Sequence, residues 1–146
     1  MLSNSCKYGI RALIYLAGKP RDKTKTGIRQ ISADLGLPAP FLAKILQQLA
    51  RRKILDSLKG PHGGFSLQKD PGKISLLDIV ITIDGDDLFN NCIIHNSTCK
   101  CVDGDKDPCP VHDDYAELRE QLISIFSRTN LNDLVRKAGT TGKVII

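Results

Sequence analysis

The sequence predicts a mainly α-helical chain carrying one small β-hairpin, and three observations lead there. Apolar residues recur at helical spacing in several segments. Two short runs of alternating apolar and polar residues flank a single Gly/Pro loop. Capping or helix-breaking residues stand at the segment boundaries.

The elements follow in order. Ser3 or Ser5 can cap a first helix whose apolar positions Ile10, Leu13, Ile14 and Ala17 keep helical spacing, and Gly18-Lys19-Pro20 ends it. A lysine-rich loop from Arg21 to Lys25 follows. Ile28 to Leu35 reads as a short helix with Ile28, Ile31 and Leu35 turned inward, and Gly36 supplies a tight turn. The next helix begins within Pro38-Ala39-Pro40, because proline is tolerated only in a helix's first turn. Its apolar positions are Phe41, Leu42, Ile45, Leu46 and Leu49. Ile54 to Lys59 and Phe65 to Gln68, on either side of Gly60-Pro61-His62-Gly63-Gly64, predict the hairpin.

Past Gly72, Ser75 and Asp78 form a capping box that opens a short apolar helix ending at Asp84-Gly85. Residues 86–112 carry little periodicity and are expected to be a polar, Asp- and Cys-rich loop. A helix from about Asp113 to Ser127 carries Leu118, Leu122, Ile125 and Phe126 on one stripe. Thr129 or Asn130 can cap a last helix through Leu131, Leu134 and Val135, ended by Gly139.

Two short helices joined by a glycine-containing turn are a helix-turn-helix, and a hairpin immediately after it is a wing. The predicted fold is therefore a winged helix-turn-helix plus a long C-terminal dimerisation helix. Residues 1–73 form the DNA-binding domain. Residues 74–146 hold a linker helix, the cysteine-rich loop and the dimerisation helix.

Charge agrees with that division. The 146-residue chain has net charge +5. Residues 1–73 hold nine Lys and five Arg against four Asp, a net +10, whereas residues 74–146 have a net −5. A strongly basic half is the footprint of a polyanion binder. Aromatic residues make up 5% with no Trp, so base stacking does not drive binding. The longest apolar runs are too short to cross a bilayer, and no secretion signal opens the sequence, so the cytoplasm is the expected location.

Lys44, Gln47, Gln48, Arg51 and Arg52 fall at i, i+3, i+4, i+7 and i+8, on one face of the second helix of the pair. Lys and Arg neutralise phosphates, and Gln can pair with an adenine edge. Lys59, beside a glycine-rich tip that can approach a duplex closely, is a further candidate contact. His62 lies at that tip and is counted with this set. A helix such as that from Asp113 onward cannot bury its stripe alone in so small a domain, which points to a homodimer reading two half-sites roughly 34 Å apart on double-stranded DNA.

Four of five cysteines fall between Cys92 and Cys109. The ligand-type residues are Cys92, Cys99, Cys101, Cys109 and His112, with Cys99 and Cys101 one close pair and Cys109 and His112 another. Their neighbours are Asp, Asn, Gly and Lys, which offer no apolar core for a packed thiol. Thiolates are soft donors suited to iron–sulfur clusters, zinc or cuprous copper. A C-x-C pair with a C-x2-H pair could close a tetrahedral zinc site. No C-x2-C-x2-C run suggests simple electron transfer. Cys6, in the first helix, reads as a small packed residue.

Several stretches resemble the IscR/NsrR-type family of winged-helix regulators: Lys7-Tyr8-Gly9-Ile10-Arg11-Ala12-Leu13, Ile31-Ser32-Ala33-Asp34-Leu35-Gly36-Leu37, Lys59-Gly60-Pro61-His62-Gly63-Gly64-Phe65-Ser66-Leu67 and Cys109-Pro110-Val111-His112. The resemblance covers nearly the whole chain. It implies a homodimer with crossed C-terminal helices and a two-iron or four-iron cluster bound by three cysteines, whose state alters DNA affinity. By motif position Cys92 resembles the first ligand, Cys109 the third and His112 a possible fourth. Where the family has one middle cysteine about five residues from each neighbour, this chain has Cys99 and Cys101. Where the family often has serines at the start of the recognition helix and an acidic residue a turn later, this chain has Pro38, Pro40 and Ala43. That predicts a different target sequence.

The expected function is a DNA-binding repressor controlled by an iron–sulfur cluster that senses redox state, nitric oxide or cluster supply. A zinc-binding or cofactor-free thiol regulator is the alternative. A thiol-redox enzyme is disfavoured: there is no nucleophile–base pair, no phosphate-binding glycine loop and no C-x-x-C motif.

Overall fold

A computed structural model describes residues 1–20, 24–94 and 110–140. Helix α1 spans Asn4–Ala17, with the Ser3 side chain accepting from the Cys6 N–H at its start. Helix α2, Ile28–Leu35, ends at Gly36 in the left-handed conformation (φ 63°). There the Leu37 N–H donates to Ser32 O and the Gly36 N–H to Ala33 O, the paired closure that turns the chain sharply. Helix α3, Ala39–Arg51, follows at once, with Pro40 in its first turn.

Strands β1 (Leu55–Leu58) and β2 (Gly64–Leu67) pair antiparallel, Leu55 opposite Leu67 and Leu58 opposite Gly64. A short 3-10 turn at Pro71–Lys73 leads to α4, Leu76–Asp84, opened by the expected Ser75–Asp78 capping box. Helix α5 is a single turn, Asp87–Asn90. Helices α6 (His112–Arg128) and α7 (Leu131–Thr140) follow. This is the mainly α arrangement with one hairpin that the sequence predicts.

The main core gathers Ala12, Leu13 and Leu16 of α1, Ile31 of α2, Leu42, Ile45, Leu46 and Leu49 of α3, and Leu55 and Phe65 of the hairpin. Ile74, Ile79 and Leu131 belong to the same cluster, so burial of apolar surface continues across the boundary at residue 73. Three helices converge where Gly9 sits. A side-chain carbon there would lie 2.3 Å from Ile83 Cδ1 and 3.2 Å from Ile45 Cγ2, so the bare backbone of Gly9 leaves room for Ile83 where α1, α3 and α4 meet. A smaller cluster of Cys6, Val80 and Phe89 is covered by Leu122, Ile123 and Phe126 of α6, with the Phe89 and Phe126 rings edge to face at 5.6 Å.

Several expectations need correction. Phe41 is not core: it is 42% exposed and lies edge-on to Tyr8 at 5.8 Å, because its position on α3 falls outside the buried arc. The stripe of α6 divides. Leu122 and Phe126 pack on α4 and α5, whereas Leu118 and Ile125 are 58% and 44% exposed. The segment 86–112 is not wholly loop, since α5 forms within it and α6 starts at His112. Gly139 does not end α7, which continues to Thr140. The cap of that helix is Asn130, whose side chain accepts from the Asp133 N–H at 3.0 Å while Asp133 accepts from the Asn130 N–H. Among the described residues no helix is long and apolar enough to cross a membrane.

Candidate nucleic-acid interface and cysteine segment

The helix-turn-helix is held at a fixed angle by polar contacts between α1 and α2. Arg11 Nη2 donates to Leu35 O at 3.0 Å, just before the Gly36 turn. The Tyr15 hydroxyl donates to the Asp34 carboxylate, which also accepts from Gln30 Nε2 at 2.7 Å. Tyr15's hydrogen bond is the main reason the Asp34 carboxyl sits below its ordinary range. With α2 fixed, the turn sets the direction in which α3 leaves the core.

Four buried residues, Leu42, Ile45, Leu46 and Leu49, press α3 inward, so its opposite side faces solvent. Lys44, Gln47, Gln48, Arg51 and Arg52 are all exposed there. Gln48 differs from the others: its amide nitrogen donates to Thr82 O at 2.7 Å and to Ile83 O at 3.4 Å, at the end of α4. Lys59, Pro61 and His62 are exposed at the hairpin tip. Basic side chains thus stand on the solvent side of one helix and at the tip of the hairpin that follows it, an arrangement able to follow a phosphate backbone.

Two features of the wing escaped the sequence reading. Thr26 forms a bridge to Phe65, adding a one-residue third strand to the hairpin. Lys25 then reaches across to an ion pair with Asp56, its ammonium also 3.4 Å from Ser66 Oγ. Lys25 therefore belongs to the base of the wing rather than to a loose basic loop. The signal available in the sequence was a β-branched Thr next to Lys, too short to show a period.

Cys99, Cys101 and Cys109 lie outside the described residues, so the ligand set proposed from spacing is seen at its two ends alone. Cys92 follows α5 and is half-buried, and His112 is the first residue of α6, also half-buried. Arg119 of α6 supports the chain beside Cys92: its Nη2 donates to Asn91 O at 3.1 Å, and its guanidinium stands 5.0 Å from the Tyr115 ring centroid. Among the described residues no three His, Cys, Asp or Glu side chains come together as a metal site. Cys6 is fully buried, and that burial, with Asp84 nearby, pushes its thiol up to about 12. Such a thiol stays protonated and is a poor ligand or nucleophile at neutral pH.

Residues 2–137 match the Rrf2 family, described as iron-dependent transcriptional regulators. A protein of Aquifex aeolicus (strain VF5) named as an HTH-type transcriptional regulator is 35% identical over 135 residues, covering 92% of this chain and 91% of that one. An rrf2-like regulator of Rhodobacter capsulatus is 27% identical, covering 99% of both. Among solved structures, CymR, the global cysteine regulator of B. subtilis, superposes with a TM-score of 0.77 at 21% identity, over 94% of this chain and 97% of that one. T. potens IscR does so at 0.73 and 18% identity, over 97% and 90%. At those identities the structural likenesses speak for the fold.

Proposed function

This chain belongs to the Rrf2 family of transcriptional regulators, and from that premise we propose that it is a homodimeric repressor whose grip on its operator is set by an iron–sulfur cluster held in the cysteine segment. DNA binding is the family's property, and neither the family nor the relatives are enzymes. The cluster, the dimer, the residue assignments and a cytoplasmic location are our reading.

The observation that supports the reading is that a basic face of α3 and a basic wing occur in one chain with a cysteine-rich segment, whose first cysteine, Cys92, follows α4 and α5. Lys44, Arg51 and Lys59 neutralise phosphates, and Gln47 is the residue of α3 best suited to a base edge. The donors fit the cofactor in kind. Cys92, Cys99, Cys101 and Cys109 supply soft thiolates and His112 an imidazole, the set iron–sulfur clusters take. When bound, the cluster would supply reversible redox or ligand-loss chemistry. The chain's own part is to hold the backbone just before the segment's first cysteine through Arg119, and to carry its last donor on α6. The exposed Leu118 and Ile125 of α6 support a second copy as the cover for that helix.

The test is anaerobic purification followed by absorbance, iron and sulfide analysis, and titration into duplex DNA. The expected preparation is brown, with iron and sulfide in equal amounts, and its DNA affinity falls steeply with salt. A colourless protein with stoichiometric zinc would overturn the cluster. A protein indifferent to every duplex at low salt would overturn the whole reading. Sedimentation should give a dimer, and Leu118→Glu with Ile125→Glu should give monomers.

A further inference from the structure

On the reading that α3 presents its basic face to DNA, we propose that Gln48 does not read a base. It is the positioning residue that clips the recognition helix to the C-terminal end of α4.

The end of any helix leaves its last carbonyls without helical partners. In α4 the Gly85 N–H takes Ile81 O at 3.1 Å, and the next two carbonyls, Thr82 and Ile83, receive the Gln48 amide at 2.7 and 3.4 Å. Both partners are acceptors, so it is the amide nitrogen that must face them. Reading an adenine edge would require both amide atoms and would strip α4 of this cap. Gln47, about 100° away around the helix, faces no such choice.

The site that Gln48 clips is held from two further directions. Ile83 fills the space over Gly9 of α1, and the next residue, Asp84, accepts from the Ser3 N–H at 2.8 Å. The last residues of α4 are thus fixed to α1 and α3 together. Beyond them come Gly85, α5 and Cys92. Gln48 therefore joins α3, by a side-chain hydrogen bond, to the helix end that leads into the segment holding Cys92.

The experiment compares full-length wild type with Gln48→Ala, Gln48→Glu and Gln48→Lys. Each is titrated by fluorescence anisotropy against a duplex that the wild type selects from a random-sequence pool and a panel of its single-base-pair changes, and amide hydrogen exchange is followed across residues 81–90. Loss of the clip in Gln48→Ala should weaken binding to every duplex by one common factor, about three- to tenfold. The order of preference within the panel should stay unchanged. Exchange across 81–90 should quicken in Gln48→Ala and more so in Gln48→Glu, whose carboxylate repels the carbonyls. Gln48→Lys keeps a donor for that helix end and should restore slow exchange.

Flattened preference at one base pair, by about five- to a hundredfold, would make Gln48 a base reader and overturn the proposal. So would unaltered exchange in Gln48→Ala. Failure of the wild type to bind any duplex would instead sink the proposed function, with the exchange arm still reporting on the clip.

Discussion

Thr26 and Phe65 exchange both backbone hydrogen bonds, each with N and O 2.9 Å apart. This reciprocal pair ties the wing to the residues that lead into α2. An isolated two-stranded hairpin is marginal in water. Here the base of the wing gains a third backbone and the Lys25–Asp56 pair. The tip, with Lys59 and His62, extends from a supported root.

That root depends on a glycine. A side-chain carbon at Gly64 would lie 2.4 Å from Thr26 O, a backbone atom that cannot swing aside. Gly64→Ala is expected to destabilise the protein by about 1–3 kcal/mol, the usual cost of overpacking. It should also loosen DNA binding while leaving α1 and α3 folded. Thermal melts with duplex titrations of the same variant check both effects.

The Lys25–Asp56 pair predicts a pH response. Lys25's hydrogen bond and charge hold the Asp56 carboxyl below its ordinary range. A folded value below the unfolded one means that the carboxylate's contribution is fully present above the ordinary carboxylate range, about pH 4. It is lost as pH falls through the lower folded value. Asp56→Asn should therefore melt below wild type at neutral pH, and the gap should close as both are taken towards pH ~3. A gap that persists in acid would assign the difference to something other than this charge.

The turn out of α3 offers a stabilising change. Lys53 stands in the left-handed region at φ 58°. Its N–H donates to Ala50 O at 2.9 Å and the Ile54 N–H to Leu49 O at 3.1 Å, the same closure that Gly36 makes after α2. A side chain in that conformation costs about 1–2 kcal/mol, part of which glycine returns as unfolded-state entropy. Lys53→Gly should raise stability by about 0.5–1 kcal/mol, a few degrees in melting temperature, measurable by calorimetry.

These two turns show what the sequence made legible. Gly36 announced its turn because glycine is the usual residue there, and the helix-turn-helix followed from it. Lys53 performs the same closure without any such sign. The apolar spacing of α3 located Leu42, Ile45, Leu46 and Leu49 but also admitted Phe41, since period alone does not say how wide the buried arc is. The wing's third strand stayed hidden because one residue has no period. Gln48 looked like its neighbour Gln47, and its partner lies 34 residues further on, at the end of another helix. Of the cysteine segment, spacing named the ligand types, while Arg119's hold on Asn91 is a long-range contact that no local pattern encodes.

Cys6 stands apart from the four cysteines between Cys92 and Cys109 as a packed, structural thiol. Its folded value near 12 lies above the ordinary thiol value of 9.0. The native state therefore keeps its proton where the unfolded chain begins to release it. Its contribution to stability is complete below that ordinary value of 9.0 and declines as pH rises beyond it. At pH 8 iodoacetamide should leave Cys6 unmodified in the native protein and label it once the protein is unfolded, as peptide mass analysis would show. Rapid labelling of native Cys6 would contradict its burial.

Leu131 is fully buried in the cluster that also contains Leu13 and Leu49, and Asn130, just before it, forms a bridge to Ser75. The final helix therefore supplies part of the floor on which the DNA reader rests. Chimaeras that swap C-terminal halves between relatives by joining at residue 73 would exchange that floor along with the rest of the half. Grafts that return α7 to its native companion keep the interior matched, so inheritance of these two distant stretches should be coupled.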